Sequence, residues 1–484
     1  MHWPRTESRS LIAFGLLLGW LLLLPWPLGA NRDWIWLWFA AALGPIAMLA
    51  LTTVSVTEAW RRWPRALRWA LLALAISVLI DLLRAAIGQV ADPAQGNACW
   101  ALADVAAARL GAIQSTTVLL LSLLLVVLVP TRARARWLLA VIFVTGIAEA
   151  LLGIGVVLSV AGFSWFGHEL GNSGFATGTF VNRNHFAGML ELAGACGFGL
   201  LAAGIRIRPA AESPIEWLRR VLQAVLGTRL LVRVGLAVIV VALVLTRSRM
   251  GNVGFFFGLT LAGLAAIVYW RPLPKLLIWL LLSIVAVDVL VLGAWVGVEK
   301  LAERVAETRL LAAPGTEQEV DGVAVVVANP EPNESERWAV AAAGLRLWWQ
   351  RPWLGHGAGA FRTLFPSAKP ASVTLFYDHA HNDYVELLVE RGAVGLLLWL
   401  AAVLMLLALA VQVLRAPGDS LRRGLALASI VGGSALLLHA MVDFNLQIPA
   451  NRFWFQAVIL GGAISSGLPW AKRHRLPSAA SAST

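Results

Sequence analysis

Four short polar segments interrupt an otherwise apolar sequence, and they carry the residue types that handle phosphate and protons. They are Thr177–His185 (TGTFVNRNH), Thr246–Gly251 (TRSRMG), Asp378–Tyr384 (DHAHNDY) and Val442–Pro449 (VDFNLQIP). The first two supply Arg183, Arg247 and Arg249. A guanidinium fork binds phosphate oxygens two at a time. Arginines gathered at a membrane surface therefore suit the pyrophosphate of a lipid carrier. Singly, each can instead snorkel or pair with a carboxylate. Three on one face favour the phosphate.

The run His379-Ala380-His381-Asn382-Asp383 admits three chemistries. His-x-His-x-Asp opens some di-metal sites, but these need a further ligand cluster. His356 and His439 are single and scattered, so no metal and no cofactor is expected. The run can also be a helix start with polar residues facing water. The third reading is a general base, a role for which the near-neutral pKa of histidine fits it.

The surrounding sequence states what must position these groups. Of 484 residues, 59% are hydrophobic and 14% charged, and the mean hydropathy is +0.75. Soluble domains carry about 25% charge. An ordinary cytosolic enzyme, a disordered chain and a small secreted scaffold are thereby excluded. The expected class is an all-α polytopic membrane protein. Spans are placed at 11–29, 34–53, 66–87, 107–129, 137–161, 185–204, 230–245, 251–270, 276–297, 393–414, 423–442 and 452–468, about twelve transmembrane helices. The first apolar run, from Leu11, reads as an uncleaved span.

The net charge of +12 follows loop basicity rather than nucleic-acid binding. With both termini cytoplasmic, 23 of the 39 Lys and Arg fall inside, and only seven on the short outer loops and span ends. This division puts all four polar segments on the outer side. It also divides the chain into spans one to nine (1–297), one long outer, periplasmic loop (298–392), spans ten to twelve (393–468) and a cytoplasmic tail (469–484). Within the loop, Ala312 to Pro332 reads as loose chain or short strands. A helix capped by Asn333 or Ser335 then runs through Trp349, lies on the membrane surface and ends at Pro352. Another short helix starts at Asp383 with Glu386 completing a capping box, and stops at Gly392. Trp34, Trp36, Trp38, Trp60, Trp63, Trp69 and Trp137 read as an interfacial belt. Glu149, Glu191 and Asp288 need partners within the membrane, and Asp81 and Arg84 are spaced to pair with each other. Cys99 and Cys196 are not expected to form a disulfide.

Four features in order resemble the bacterial O-antigen ligase and polymerase superfamily of membrane glycosyltransferases. They are Arg183-Asn184-His185-Phe186-Ala187-Gly188, Thr246-Arg247-Ser248-Arg249, the block Arg351 to Phe361 followed by His379-Ala380-His381-Asn382, and Val442 to Asn451. The resemblance covers about residues 140–465. It implies a metal-independent site on the periplasmic face of a Gram-negative inner membrane. The implied donor is a glycan on undecaprenyl pyrophosphate. The acceptor is a lipid A-core sugar, a growing polysaccharide or a protein hydroxyl. Carried over, Arg183 with one or both of Arg247 and Arg249 holds pyrophosphate and His381 is the base. His379, Asn382, Asn184, Asp443 and Gln447 support them. A transporter of lipid-linked sugars competes with this reading; it would need Glu149 and Asp288 and tolerate loss of His381. A structural subunit of an envelope assembly would need neither set.

Overall fold

A computed structural model describes residues 5–53, 56–88, 100–159, 163–170, 174–204, 228–270, 278, 282, 318–320, 323–325, 334–416 and 419–468. In chain order the helices are α1 (Arg5–Leu23), α2 (Asp33–Leu51), α3 (Val56–Arg62), α4 (Arg65–Ile87), α5 (Val105–Leu128), α6 (Arg132–Leu158), α7 (Arg183–Ala203), α8 (Thr228–Leu245), α9 (Arg249–Tyr269), α10 (Glu334–Gln350), α11 (Ala360–Ala368), α12 (Asp383–Arg415), α13 (Ser420–His439) and α14 (Pro449–Ile464). Two small antiparallel hairpins, Phe163–Trp165 with His168–Leu170 and Gln318–Val320 with Val323–Val325, are the described strands. The chain is a helical, multi-pass membrane protein.

Eight of the described helices are long and apolar enough to cross a membrane: α2, α4, α5, α6, α7, α9, α12 and α13. Three more expected spans fall on α1, α8 and α14. Of these, α14 has 16 residues, short of the roughly 20 a span requires. The expected span 276–297, and Asp288 with it, lies outside the described residues apart from 278 and 282. So does Cys99, while Cys196 is buried and free.

Burial separates two classes of helix. The apolar windows of α7 and α13 are 94% and 89% buried, whereas the other six are between 28% and 44% buried. The central pair pack backbone to backbone. A Cβ on Gly424 would sit 2.3 Å from the Gly199 carbonyl oxygen, and one on Gly258 of α9 would sit 2.4 Å from that of Val431. Small residues let helices approach this closely in lipid, where there is no hydrophobic drive between them. The α7–α9–α13 packing therefore fixes the relative heights of three helix ends.

Charges within the bundle have partners. Glu191 of α7 meets His439 Nδ1 of α13 at 2.7 Å. Glu149 accepts from the backbone N–H and Oγ1 of Thr179, at 3.0 and 2.8 Å. The expected Asp81–Arg84 pairing is replaced. Asp81 receives Arg391 Nε at 3.0 Å and the Ser115 hydroxyl. Arg84 instead donates to the carbonyls of Ala101, Leu354 and Gly355. A long-range contact won because the α4–α12 packing brings Arg391 alongside. The tryptophan belt is also trimmed: Trp34, Trp38, Trp60, Trp69 and Trp137 are exposed, but Trp36 and Trp63 are buried.

The expected short helix at Asp383 is longer than the sequence reading. Gly392, at φ 64° and ψ −171°, kinks α12 without ending it, and the helix runs on to Arg415. The carbonyls of Pro352 and Trp353 accept the N–H groups of Ala393 and Val394 there, so the break is hydrogen-bonded from outside. Glu386 does not close a capping box. The cap is the Asn382 side chain, which accepts from Tyr384 and Val385 N–H, and Glu386 is occupied by His379 and the Ala380 N–H.

Candidate active site

Three helices begin at one end of the bundle, each with a side-chain cap. Asn182 accepts from Asn184 N–H, Ser248 from Gly251 N–H, and Asn382 caps α12. Arg183 and Arg249 are the first residues of α7 and α9. Arg247 lies in the tight turn before α9, held at φ 54°, with Thr246 Oγ1 accepting the Ser248 N–H. His381 precedes the α12 cap at φ 48°. Left-handed backbone is uncommon for a residue with a Cβ and persists where surrounding structure imposes it. Two of the five described non-glycine residues at positive φ are thus site candidates.

These starts surround a cavity of about 460 Å³. It is lined by Arg183, Asn184, Arg247, Arg249, His381, Asn382 and Asp443 of the residues picked from sequence. Arg337, Trp338, His439 and Met441 are among the others. The guanidinium of Arg183 lies over the Phe175 ring, 4.7 Å from its centroid. Three helix N-termini and four arginines facing one space make it electropositive.

Asp443 is the hub of one wall. It is 1% exposed. Its Oδ1 lies 3.6 Å from both His185 Nε2 and His381 Nδ1, and its Oδ2 lies 3.8 Å from Arg337 Nη1. Burial pushes its carboxyl up, but the two neighbouring imidazoles outweigh this and hold it well below the usual carboxylate range. The His381 ring is wedged edge-on between Tyr377 and Phe444, with centroids 5.4 and 4.8 Å away. Asp443 and the two rings thus aim Nδ1 at the carboxylate. A base oriented by a third group in this way has the geometry of general-base catalysis. The 3.6 Å separation exceeds a hydrogen bond, and such contacts commonly tighten once substrate is bound.

Two residues picked from sequence stand elsewhere. His379 stacks on the Phe444 ring, with centroids 4.3 Å apart, and its Nδ1 meets Glu386 Oε1 at 2.7 Å. Burial lowers its pKa, but Glu386 more than compensates, with Asp378 and Glu390 adding to it, and the imidazole is raised to about 9. Gln447 sits in a single 3₁₀ turn, Asn445–Gln447, where its Oε1 accepts from Arg452 at 2.6 Å. It lines a second cavity, of about 110 Å³, with Asp383 and Arg391. Neither side chain lines the larger cavity.

Sequence reasoning passed over Arg337, His185 and His439. The signal for Arg337 was its helix register, since Arg337, Trp338 and Ala341 share the α10 face that lines the cavity. His439 lies one turn before Asp443, but only its pairing with Glu191 across two helices distinguishes it from a scattered histidine.

The O-antigen ligase family model matches residues 234–400. The match supports the O-antigen ligase and polymerase superfamily. It includes Arg247, Arg249, Arg337, His379, His381 and Asn382, whereas Arg183, Asn184, Asp443 and Gln447 lie outside it. No match is found among curated proteins. The match points to a ligase- or polymerase-type function in general terms.

Proposed function

We propose that the 460 Å³ cavity transfers a glycan from undecaprenyl pyrophosphate to an acceptor sugar hydroxyl at the periplasmic face of the inner membrane, as an O-antigen ligase does. The observation that carries this is the convergence of Arg183, Arg247, Arg249 and His381, from three separate helix starts, on one cavity. In the reaction the acceptor oxygen attacks the anomeric carbon. The bond from that carbon to the pyrophosphate oxygen breaks, and undecaprenyl pyrophosphate leaves with the electron pair. His381 takes the hydroxyl proton, and Asp443 balances the imidazolium that results. The arginines stabilise charge growing on the leaving oxygen. A single displacement inverts the anomeric centre. No metal takes part in this scheme.

Lipid A-core as acceptor makes the enzyme a ligase; a growing polysaccharide makes it a polymerase. The arginine–histidine site serves either, and deletion in the native host separates them. Loss of long-chain lipopolysaccharide with lipid-linked polymer accumulating means ligation. Single repeat units left on the core mean polymerisation.

The decisive test is transfer by Arg183→Ala, Arg249→Ala and His381→Ala proteins that insert normally. Each is expected to lose about 10²–10³ in rate, the usual effect of removing a group that stabilises transition-state charge. Full activity in all three overturns the assignment. Insensitivity to chelators is expected as well; loss with EDTA, restored by a divalent ion, overturns the metal-free scheme.

A further inference from the structure

The outward face of α10 is apolar where a water-facing helix is polar. Trp338, Ala342, Leu345 and Trp349 follow one another at spacings of four, three and four, which places them in one stripe. Trp338, Leu345 and Trp349 are 69%, 43% and 74% exposed. The core does not need this stripe, because Val340, Ala343 and Leu347 on the opposite face are buried in the cluster around Phe361 and Val389. Trp353, just past the helix, is also largely exposed.

Both ends of α10 are tied to places where apolar helices end. At its start, Arg337 Nη1 donates to the Val442 carbonyl at 3.4 Å, three residues past the end of α13. Beyond its end, the Pro352 and Trp353 carbonyls hold the Gly392 kink, where the apolar run of α12 begins. The helix therefore runs along the level at which the spans emerge. Its stripe is continuous with the cavity at one end, where Trp338 forms part of the lining. Tryptophans on a surface-lying helix, with Arg346 beside them to reach water, match the chemistry of the bilayer interface.

We infer that the Trp338–Leu345–Trp349 face of α10 is seated in the outer lipid leaflet and holds the mouth of the cavity at headgroup height. The seat follows from the surface of α10 alone. Its consequence, that a lipid-linked donor reaches the arginines without leaving the bilayer, rests on the function proposed above.

The test places nitroxide labels on cysteines at 345 and 349, with Cys99→Ser and the buried Cys196 retained, in the full-length protein in phosphatidylethanolamine–phosphatidylglycerol nanodiscs. Both labels are expected to collide with oxygen more than with a water-soluble nickel chelate. A control label at the exposed Arg362 position gives the reverse. Chelate access at 345 and 349 equal to that at 362 overturns the inference. Shielding from both reagents means that protein covers the face, and overturns it equally. Leu345→Asp and Trp349→Asp are expected to raise KM for an undecaprenyl-linked donor about tenfold, the scale of one large apolar side chain withdrawn from lipid. Transfer from a short-chain, water-soluble donor stays unchanged in these variants. Equal loss with both donors overturns the lipid role. Arg249→Ala loses both donors; if it retains them while the labels report lipid, the phosphate site fails and the seat stands.

Discussion

The first turns of α12 separate two polar regions that look alike in composition and differ in exposure. On one side, the large cavity is lined by four arginines, Arg183, Arg247, Arg249 and Arg337, and one carboxylate, Asp443. On the other, Arg391 and Arg452 lie among Asp81, Asp383, Glu386 and Glu390. Arg391 Nε lies 3.0 Å from Asp81 and its Nη1 3.6 Å from Glu390. Arg452 donates to Gln447, Gln114 and the Leu446 carbonyl, and Asp383 accepts the Leu446 N–H at 3.0 Å. Exposed arginines such as Arg247 and Arg249, facing a cavity, can reach an incoming anion. Arg391, its side chain 13% exposed and bound to Asp81, instead ties α12 to α4. The difference teaches that an arginine of this membrane protein is a candidate for ligand binding where it faces an open space, and a helix tie where it is buried against a carboxylate.

Variants on the two sides should therefore fail in different ways. The largest effects fall on the open side, where Arg249→Ala or His381→Ala lowers transfer by about 10²–10³ with normal thermal stability. Asp443→Asn should follow, at roughly 10²-fold in kcat, because a neutral amide no longer balances the His381 imidazolium. Single-turnover rates in nanodiscs separate this from weaker donor binding. On the Arg391 side, Arg391→Ala leaves Asp81 buried without its cation. Loss of one partner of a buried pair costs about 3–5 kcal/mol, so the readout is loss of folded protein by thermal melting in detergent, before any kinetic effect. If Arg391→Ala melts normally but loses transfer, the contrast between the two sides is broken.

The smallest expected effect sharpens the contrast within one short segment. His379 is raised to about 9 chiefly by Glu386, against the opposing pull of burial. A raised histidine contributes stability that is complete below its unfolded value, about 6.5, and declines as pH climbs through 9. Melting temperature should fall modestly between pH 6.5 and 9, and His379→Gln should flatten that slope while retaining most transfer activity. An unchanged slope in His379→Gln would show that the His379–Glu386 contact contributes no pH-dependent stability.

Much of the molecule was legible in the chain. Apolar runs of span length, the helix from 334 to 350 and the polar segments at the helix starts follow from local hydropathy, periodicity and capping, which a sequence carries in neighbouring positions. Residue type, their place at the outer ends of the spans and the family resemblance made Arg183, Arg247, Arg249 and His381 candidates. Sequence could not say which side of α12 each polar residue faces. His379 and His381 are two residues apart and both pack on Phe444, yet with positive φ at His381 one imidazole meets Glu386 and the other Asp443. Gln447 was drawn away by Arg452, and Asp81 was given to Arg391 rather than Arg84. These outcomes depend on contacts between separate elements, from five positions apart for Gln447 and Arg452 to 310 for Asp81 and Arg391, set by glycine-mediated approach of α7, α9 and α13 and by the kink at Gly392. The chain itself determined which side chains can bind phosphate or accept a proton; helix packing decided which of them meet, because convergence is a property of backbone placement and not of spacing along the chain.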